Sequence, residues 1–251
     1  MKKRKQKKGF LLLSALLAVF LLFAWKDKTE KAKPREPSFS KDTTVIAIDI
    51  LLEPDTTMIN RAKSVNALLR QNYPQGYSLD ASHSPHITLI QRFIHAGAMD
   101  SLVAGINRMA ASQSLSQMQL SAVGYLSDVW AGSGVLVYVI EKTPQLLQLE
   151  NSIVKAIEPF SVDNGTTAAF ARDSGTEAIN AETISWVKNF VPASSGEKYF
   201  PHVTIGVAQM DFVKNLQEKP FSKFTFSISS IGIYQLGNFG TARKKIWNSS
   251  Q

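Results

Sequence analysis

The chain has 251 residues, 44% of them apolar, no cysteine and a formal net charge of +8. It is long enough to bury a sizeable core in one large domain or two small ones, and without thiols it has no disulfide, thiol catalysis or thiolate metal site. The charge excess lies at one end. Residues 1–36 carry 11 Lys and Arg against 3 Asp and Glu, whereas from Pro37 onward 17 basic residues face 17 acidic ones, so the globular part lacks the general attraction that holds a long polyanion.

The chain opens on MKKRKQKK, followed by 17 apolar or small residues at 9–25. That run sits at the lower limit for a spanning helix, about 17 residues, and exceeds the usual secretory apolar region of about 7–15. Leu22 interrupts the small-x-small spacing that cleavage needs. Residues 1–25 therefore read as a signal anchor, positive end in the cytoplasm and the remainder beyond the membrane. That implies membrane association through the N-terminal helix, with a periplasmic domain on a bacterial inner membrane or a secreted protein if the signal is removed. Residues 26–42, KDKTEKAKPREPSFSKD, read as a charged linker, and residues 43–251 as the folded domain.

TTVIAIDILL at 43–52 is a β-branched, apolar strand. A helix follows with Asp55 as N-cap and Met58, Ala62, Val65 and Leu69 on one face. SPHITLIQRF at 84–93 is the next strand, and Leu102, Ile106 and Met109 mark a helix over 99–111. Two strands, 118–126 and 134–141, flank a loop at Ser127–Ser133. Pro144 sits at the first position of a helix whose inward residues are Leu146, Leu149, Ile153 and Ile157, ended by Pro159. Residues 161–176 read as a polar surface insertion, and a helix over 181–191 ends before Pro192. YFPHVTIGV is a strand, 210–217 a short helix, and FTFSISSIGIYQL the closing strand. The alternation fits an α+β or an α/β domain.

Two stretches are near copies: SPHITLIQ at 84–91 and FPHVTIGV at 200–207, which place His86 and His202 in one frame 116 residues apart. Side chains alternate across a strand. His86 and Thr88 therefore share one face, as do His202 and Thr204, while the intervening residues face the core. Strict alternation also carries Arg92 onto the first polar face and leaves Gly206 as open space on the second. Side by side, such strands offer two imidazoles and two hydroxyls around one space. One neutral His takes a proton from water, the other delivers one to a leaving oxygen, and the hydroxyls meet the phosphate oxygens.

Paired P-H-[IV]-T-[LI] strands resemble the two-histidine (2H) phosphoesterase superfamily, which includes RNA 2′,3′-cyclic phosphodiesterases once called 2′-5′ RNA ligases. The resemblance covers 45–247. It implies an α+β bilobal fold with a pseudo-twofold, two antiparallel sheets lining a groove and helices outside. It further implies His86 and His202 as catalytic acid and base in unassigned order, Thr88 and Thr204 as phosphate-binding, no metal and no cofactor. The implied activity is hydrolysis of a 2′,3′-cyclic phosphate or related 2′-5′ linkage in a small nucleotide or RNA end, by a monomer. Arg92, by default a charged strand-end residue, and Tyr199, a core or rim aromatic, are the further groove candidates. His83 and His95 lack the frame and read as surface residues. So does the run Arg243–Lys245, a solvated face near the C-terminus. Two rivals remain: a nucleotide-binding module without turnover, and a His-based metal hydrolase, for which no third ligand is visible.

Overall fold

In the computed structural model, residues 43–113, 115–130, 132–172 and 178–249 are described. The expected anchor and linker, 1–42, lie outside them. Among the described residues no helix is long and apolar enough to cross a membrane.

The first strand, β1, runs Val45–Pro54, and α1, Thr56–Asn72, follows at once. Asp55 caps α1 as expected, its Oδ1 accepting from the amides of Thr57 and Met58 and satisfying donors that the first turn leaves open. Strand β2, Ile87–His95, carries the first motif, and α2, Met99–Gln113, follows it. Next come β3, Gln119–Trp130, and β4, Ser133–Ile140. The expected loop at 127–133 is thus mostly strand. Trp130 pairs with Ser133, and Gly132 takes the positive φ, 80°, that a tight hairpin needs.

Thr143 caps α3, Pro144–Ile157, with Pro144 in its first turn. The supposed insertion begins as a short strand β5, Ser161–Val162, paired with β2; residues 173–177 lie outside the described set. Helix α4 spans Ala181–Ser194 and runs past Pro192. A proline cannot bond the carbonyl four residues back, and here Arg92 donates to that carbonyl, Lys188 O, at 3.3 Å. Strand β6, His202–Ala208, carries the second motif, and α5, Met210–Gln217, follows. The chain closes with β7, Phe224–Leu236, and a strand not anticipated from sequence, β8, Ala242–Asn248, which contains the run read as a solvated face.

All pairings are antiparallel, in the order β5-β2-β1-β7-β3-β4-β6 with β8 on β7. The two antiparallel sheets expected, one built on β1 and β2 and the other on β3, β4 and β6, are joined by one strand. With 13 residues, β7 pairs β1 through Ile228–Gln235 and β3 through Phe224–Ser227, making the sheet continuous.

One face of the sheet holds the main core. Ile48, Ile50, Leu52, Ile90, Ile94, Val203 and Ile205 pack there with the apolar faces of α1, α2, α3 and α5. Helix α4 departs from the expected arrangement of helices outside. Its Val187 and Ile184 pack on Ala47, Phe93 and Leu236. In register these three share a face with Asp49, Gln91 and Tyr234, so α4 covers one end of the opposite face, on which both motifs lie.

Candidate active site

Each motif strand contains a bulge at the same place. Thr88 lies opposite Leu51 and Ile90 opposite Ile50, leaving Leu89 extra. Thr204 lies opposite Val137 and Gly206 opposite Leu136, leaving Ile205 extra. A bulge adds one residue and resets which side chains share a face. Beyond Thr88 it is therefore Gln91, not Arg92, that continues the motif face. Arg92 is turned to Lys188 O and, at 3.5 Å, to Asp163, so alternation misplaces it. Gly206 is likewise not open space: a Cβ there would stand 2.6 Å from Asn66 Nδ2 and 3.0 Å from Leu69 Cδ1 of α1. Asn66 holds this bulge by donating to Ile205 O at 2.9 Å.

The two imidazoles are fixed alike. His86 Nδ1 donates to Ser84 O at 2.7 Å, and His202 Nδ1 donates to Phe200 O at 2.8 Å. A carbonyl can only accept, so the Nδ1 proton is committed in both, and Nε2 is the atom left for chemistry. Both rings are half-buried. Phe200, 45% exposed, stacks on His202 with centroids 5.5 Å apart. Burial pushes His202 below the usual imidazole range; the Phe200 carbonyl opposes this, and a charge on His86 adds to it. The motifs are thus close enough for His86 to act on His202 electrostatically. Tyr199 takes the core place of its two readings, not the groove: it is buried, and its hydroxyl donates to Thr88 O at 3.1 Å, joining the second motif segment to the first.

Beside the first motif stand residues that the motif search missed. Asp49 has no exposed surface; its Oδ2 accepts from Thr88 Oγ1 at 2.9 Å and from Gln91 Nε2 at 3.0 Å. Burial raises its carboxyl above the usual range, while His86, Gln91 and Thr88 pull the other way. The signal was legible, a lone charge inside VIAIDILL. Gln91 also donates to Gly240 O at 2.8 Å and accepts from the Trp186 indole at 3.1 Å. On the other side of His86 lies a cavity of ≈ 10 Å³ lined by Leu51, Glu53, Ser84, Pro85 and Tyr234. Burial works against the charge on Glu53, but bonds from Lys245, Ser230 and Tyr234 outweigh it and hold the carboxyl below its usual range. Lys245 of β8 stands 2.6 Å from Glu53, so the run read as a solvated face reaches the edge of the site. The histidines outside the frame are structural: His83 stacks on Tyr77 and meets Arg243, and His95 ends β2 against Thr43 O. Among the described residues, no three or more His, Cys, Asp or Glu side chains gather as a metal site.

An antiparallel sheet that presents two H-x-T motifs on one face, each on a bulged strand, defines a two-histidine phosphoesterase of α+β architecture. Residues 53–238 match the sequence profile of the 2′-5′ RNA ligase superfamily, and the chain belongs to that family. A search of curated proteins returns no significant match. Similar solved structures include TT0787 of Thermus thermophilus, 12% identical with a TM-score of 0.43 over 82% of this chain and 97% of that one. Escherichia coli LigT complexed with 3′-AMP is 14% identical, TM-score 0.38, over 83% and 100%. Kluyveromyces marxianus Usb1 with uridine monophosphate is 10% identical, TM-score 0.39, over 82% and 98%.

Proposed function

We propose that the chain is a metal-independent phosphodiesterase that opens 2′,3′-cyclic phosphates, or related 2′-5′ linkages, at nucleotides or RNA ends. One observation carries this reading: two imidazoles on equivalent bulged strands, each with Nδ1 tied to the carbonyl two residues back and each offering Nε2. His202, held toward the neutral form by burial, takes the general-base role. Its Nε2 accepts a proton as water oxygen attacks phosphorus. The bond from phosphorus to one ribose oxygen breaks, and His86, entering protonated, gives its Nε2 proton to that oxygen. The product is a phosphomonoester, and exchange with solvent resets the pair. Thr204 offers a hydroxyl to the phosphate. Thr88 does so by turning its proton from Asp49.

The test is turnover of a 2′,3′-cyclic nucleotide by the full chain in excess chelator. His86→Ala and His202→Ala should each lower kcat/KM by about 10²–10⁴-fold, the usual worth of one proton transfer. The acid limb of the pH profile should inflect below the ordinary histidine value of about 6.5, since the base works unprotonated. Turnover that vanishes with chelator, or survives both substitutions, would sink the mechanism. We also infer, from the charge and hydropathy of residues 1–25, that this domain is held at a membrane and faces away from the cytoplasm.

A further inference from the structure

Helix α4 puts one end of the motif face under a wall, and that wall exposes two aromatic rings. Ile184 and Val187 bury themselves against Ala47, Phe93 and Leu236. Trp186, between them in sequence, is 49% exposed. It is nonetheless fixed: its indole N–H donates to Gln91 Oε1 at 3.1 Å, and its ring meets Phe190 edge-on at 5.8 Å. The second ring is Phe239, 45% exposed, in the turn after β7. Its backbone is left-handed, φ 59° and ψ 20°, a conformation that disfavours a residue with a Cβ. The turn is bolted to the start of α4. Phe239 N–H donates to Thr183 Oγ1 at 2.9 Å, and Thr183 Oγ1 donates to Asn238 Oδ1 at 3.1 Å. The next residue, Gly240, accepts from Gln91 Nε2 at 2.8 Å. Both rings are therefore carried by groups anchored to one buried glutamine.

That glutamine belongs to the motif face. Bonds of 2.9, 3.0 and 3.1 Å lead from Thr88 to Asp49, from Asp49 to Gln91, and from Gln91 to Trp186. Across the bulge Gln91 lies about two strand steps beyond Thr88, ~7 Å, which is about the spacing of one nucleotide, and Trp186 is bonded to that glutamine. The cations nearby are engaged: Lys188 with Asn164 Oδ1 at 2.9 Å and Arg92 with Asp163 and Lys188 O. On α4 the indole of Trp186 lines an open hollow together with Ala181 and the polar Glu182, Ser185 and Asn189. This suits a base and not a second phosphate.

We propose that Trp186 and Phe239 form a stacking platform for the nucleobase next to the reacting phosphodiester, so that the preferred substrate is an RNA end of at least two nucleotides. The proposal rests on the phosphodiesterase reading for its orientation, and its test separates the two. A dinucleotide ending in a 2′,3′-cyclic phosphate is compared with the same molecule lacking the base on its 5′ nucleotide, using the full chain. Base stacking on an aromatic side chain is worth about 1–3 kcal/mol, so the intact probe should have a kcat/KM about 5- to 150-fold higher in the wild type. In Trp186→Ala and Phe239→Ala that ratio should fall to within about threefold of unity, and Trp186→Phe should keep part of it. The ratio is read within each variant, so a general loss of stability does not imitate the result. The same comparison is made by fluorescence titration with the uncleaved 3′-phosphate dinucleotides. If neither cyclic probe turns over but base-dependent binding is seen and lost in Trp186→Ala, the platform stands and the enzyme reading falls. A wild-type ratio near one, or a ratio untouched by both alanine variants, overturns the platform. So does a cyclic mononucleotide whose own base shows the same dependence on Trp186, because the ring would then hold the reacting nucleotide.

Discussion

Asp49 stands fully buried in β1 with one carboxylate oxygen shared by Thr88 and Gln91 and the other without a hydrogen-bond partner. The register shows what makes it particular. One rung past the bulge, the first half pairs Asp49 with Gln91, whereas the second half pairs Val135 with Val207. Two motifs alike in sequence thus rest on unlike supports, and the acid lies beside His86 alone. The groups facing Asp49 are His86 just ahead of β2, Thr88 and Gln91 from β2, Tyr199 ahead of β6, and Tyr234 across β7. Burial raises the Asp49 carboxyl above its ordinary 3.8. A carboxyl raised on folding holds its proton while the unfolded chain releases it. Its stabilising share is therefore complete below about pH 3.8 and is lost as pH climbs through the folded value. Asp49→Asn should accordingly match the wild type near pH 4 and be the more stable, by about 1 kcal/mol or more, at pH 8. Turnover should fall, because the acceptor that orients Thr88 is altered. Urea unfolding at the two pH values decides it; a variant less stable than wild type at pH 8 contradicts this account.

At the scale of elements, much of the fold could be read directly. The cap at Asp55, the start of α3 at Pro144 and the apolar faces of α1 and α3 are short-range signals, and they appear where expected. The duplicated motifs likewise gave the strands that carry both imidazoles. The bulges at Leu89 and Ile205 did not show, because a bulge is a property of two paired strands, and strict alternation then put Arg92 and Gly206 on the wrong face. The passage of α4 through Pro192 was also hidden, since it depends on an arginine 96 residues away donating to Lys188 O. Gly206 tests the bulge directly. With Asn66 Nδ2 2.6 Å from its missing Cβ, Gly206→Ala must push aside the group that holds Ile205 O. It should cost about 1–3 kcal/mol by overpacking and lower turnover through the displaced His202 and Thr204. Gly124→Ala in β3, with nothing within 4 Å of its Cβ, should change stability by about 0.5 kcal/mol or less. Equal effects at the two glycines would remove the packing argument.

For the whole molecule the telling quantity is where the charge lies. Residues 1–36 hold the entire net excess of +8, and the rest is balanced. A basic segment meets a membrane in two ways, and they separate by experiment. If residues 1–8 merely adhere to anionic headgroups, attraction falls off within about 10 Å at 0.1 M salt and about 3 Å at 1 M, and the protein washes off. If residues 9–25 span, 17 residues at ~1.5 Å each give a helix of about 26 Å, close to a hydrocarbon core of about 30 Å. Burial of that apolar run does not depend on salt. The full chain, made in bacterial cells, should therefore stay with the membrane fraction through 1 M salt and alkaline carbonate. If the positive-inside rule keeps the basic end in the cytoplasm, added protease should reach the domain in spheroplasts without lysis. Replacing the lysines and arginine of residues 2–8 with glutamine should scramble that orientation while leaving the protein membrane-bound. Release by salt would mean surface adhesion, and protection of the domain in intact spheroplasts would place the site on the cytoplasmic side. Either outcome would set aside the spanning anchor and the outward-facing domain inferred above.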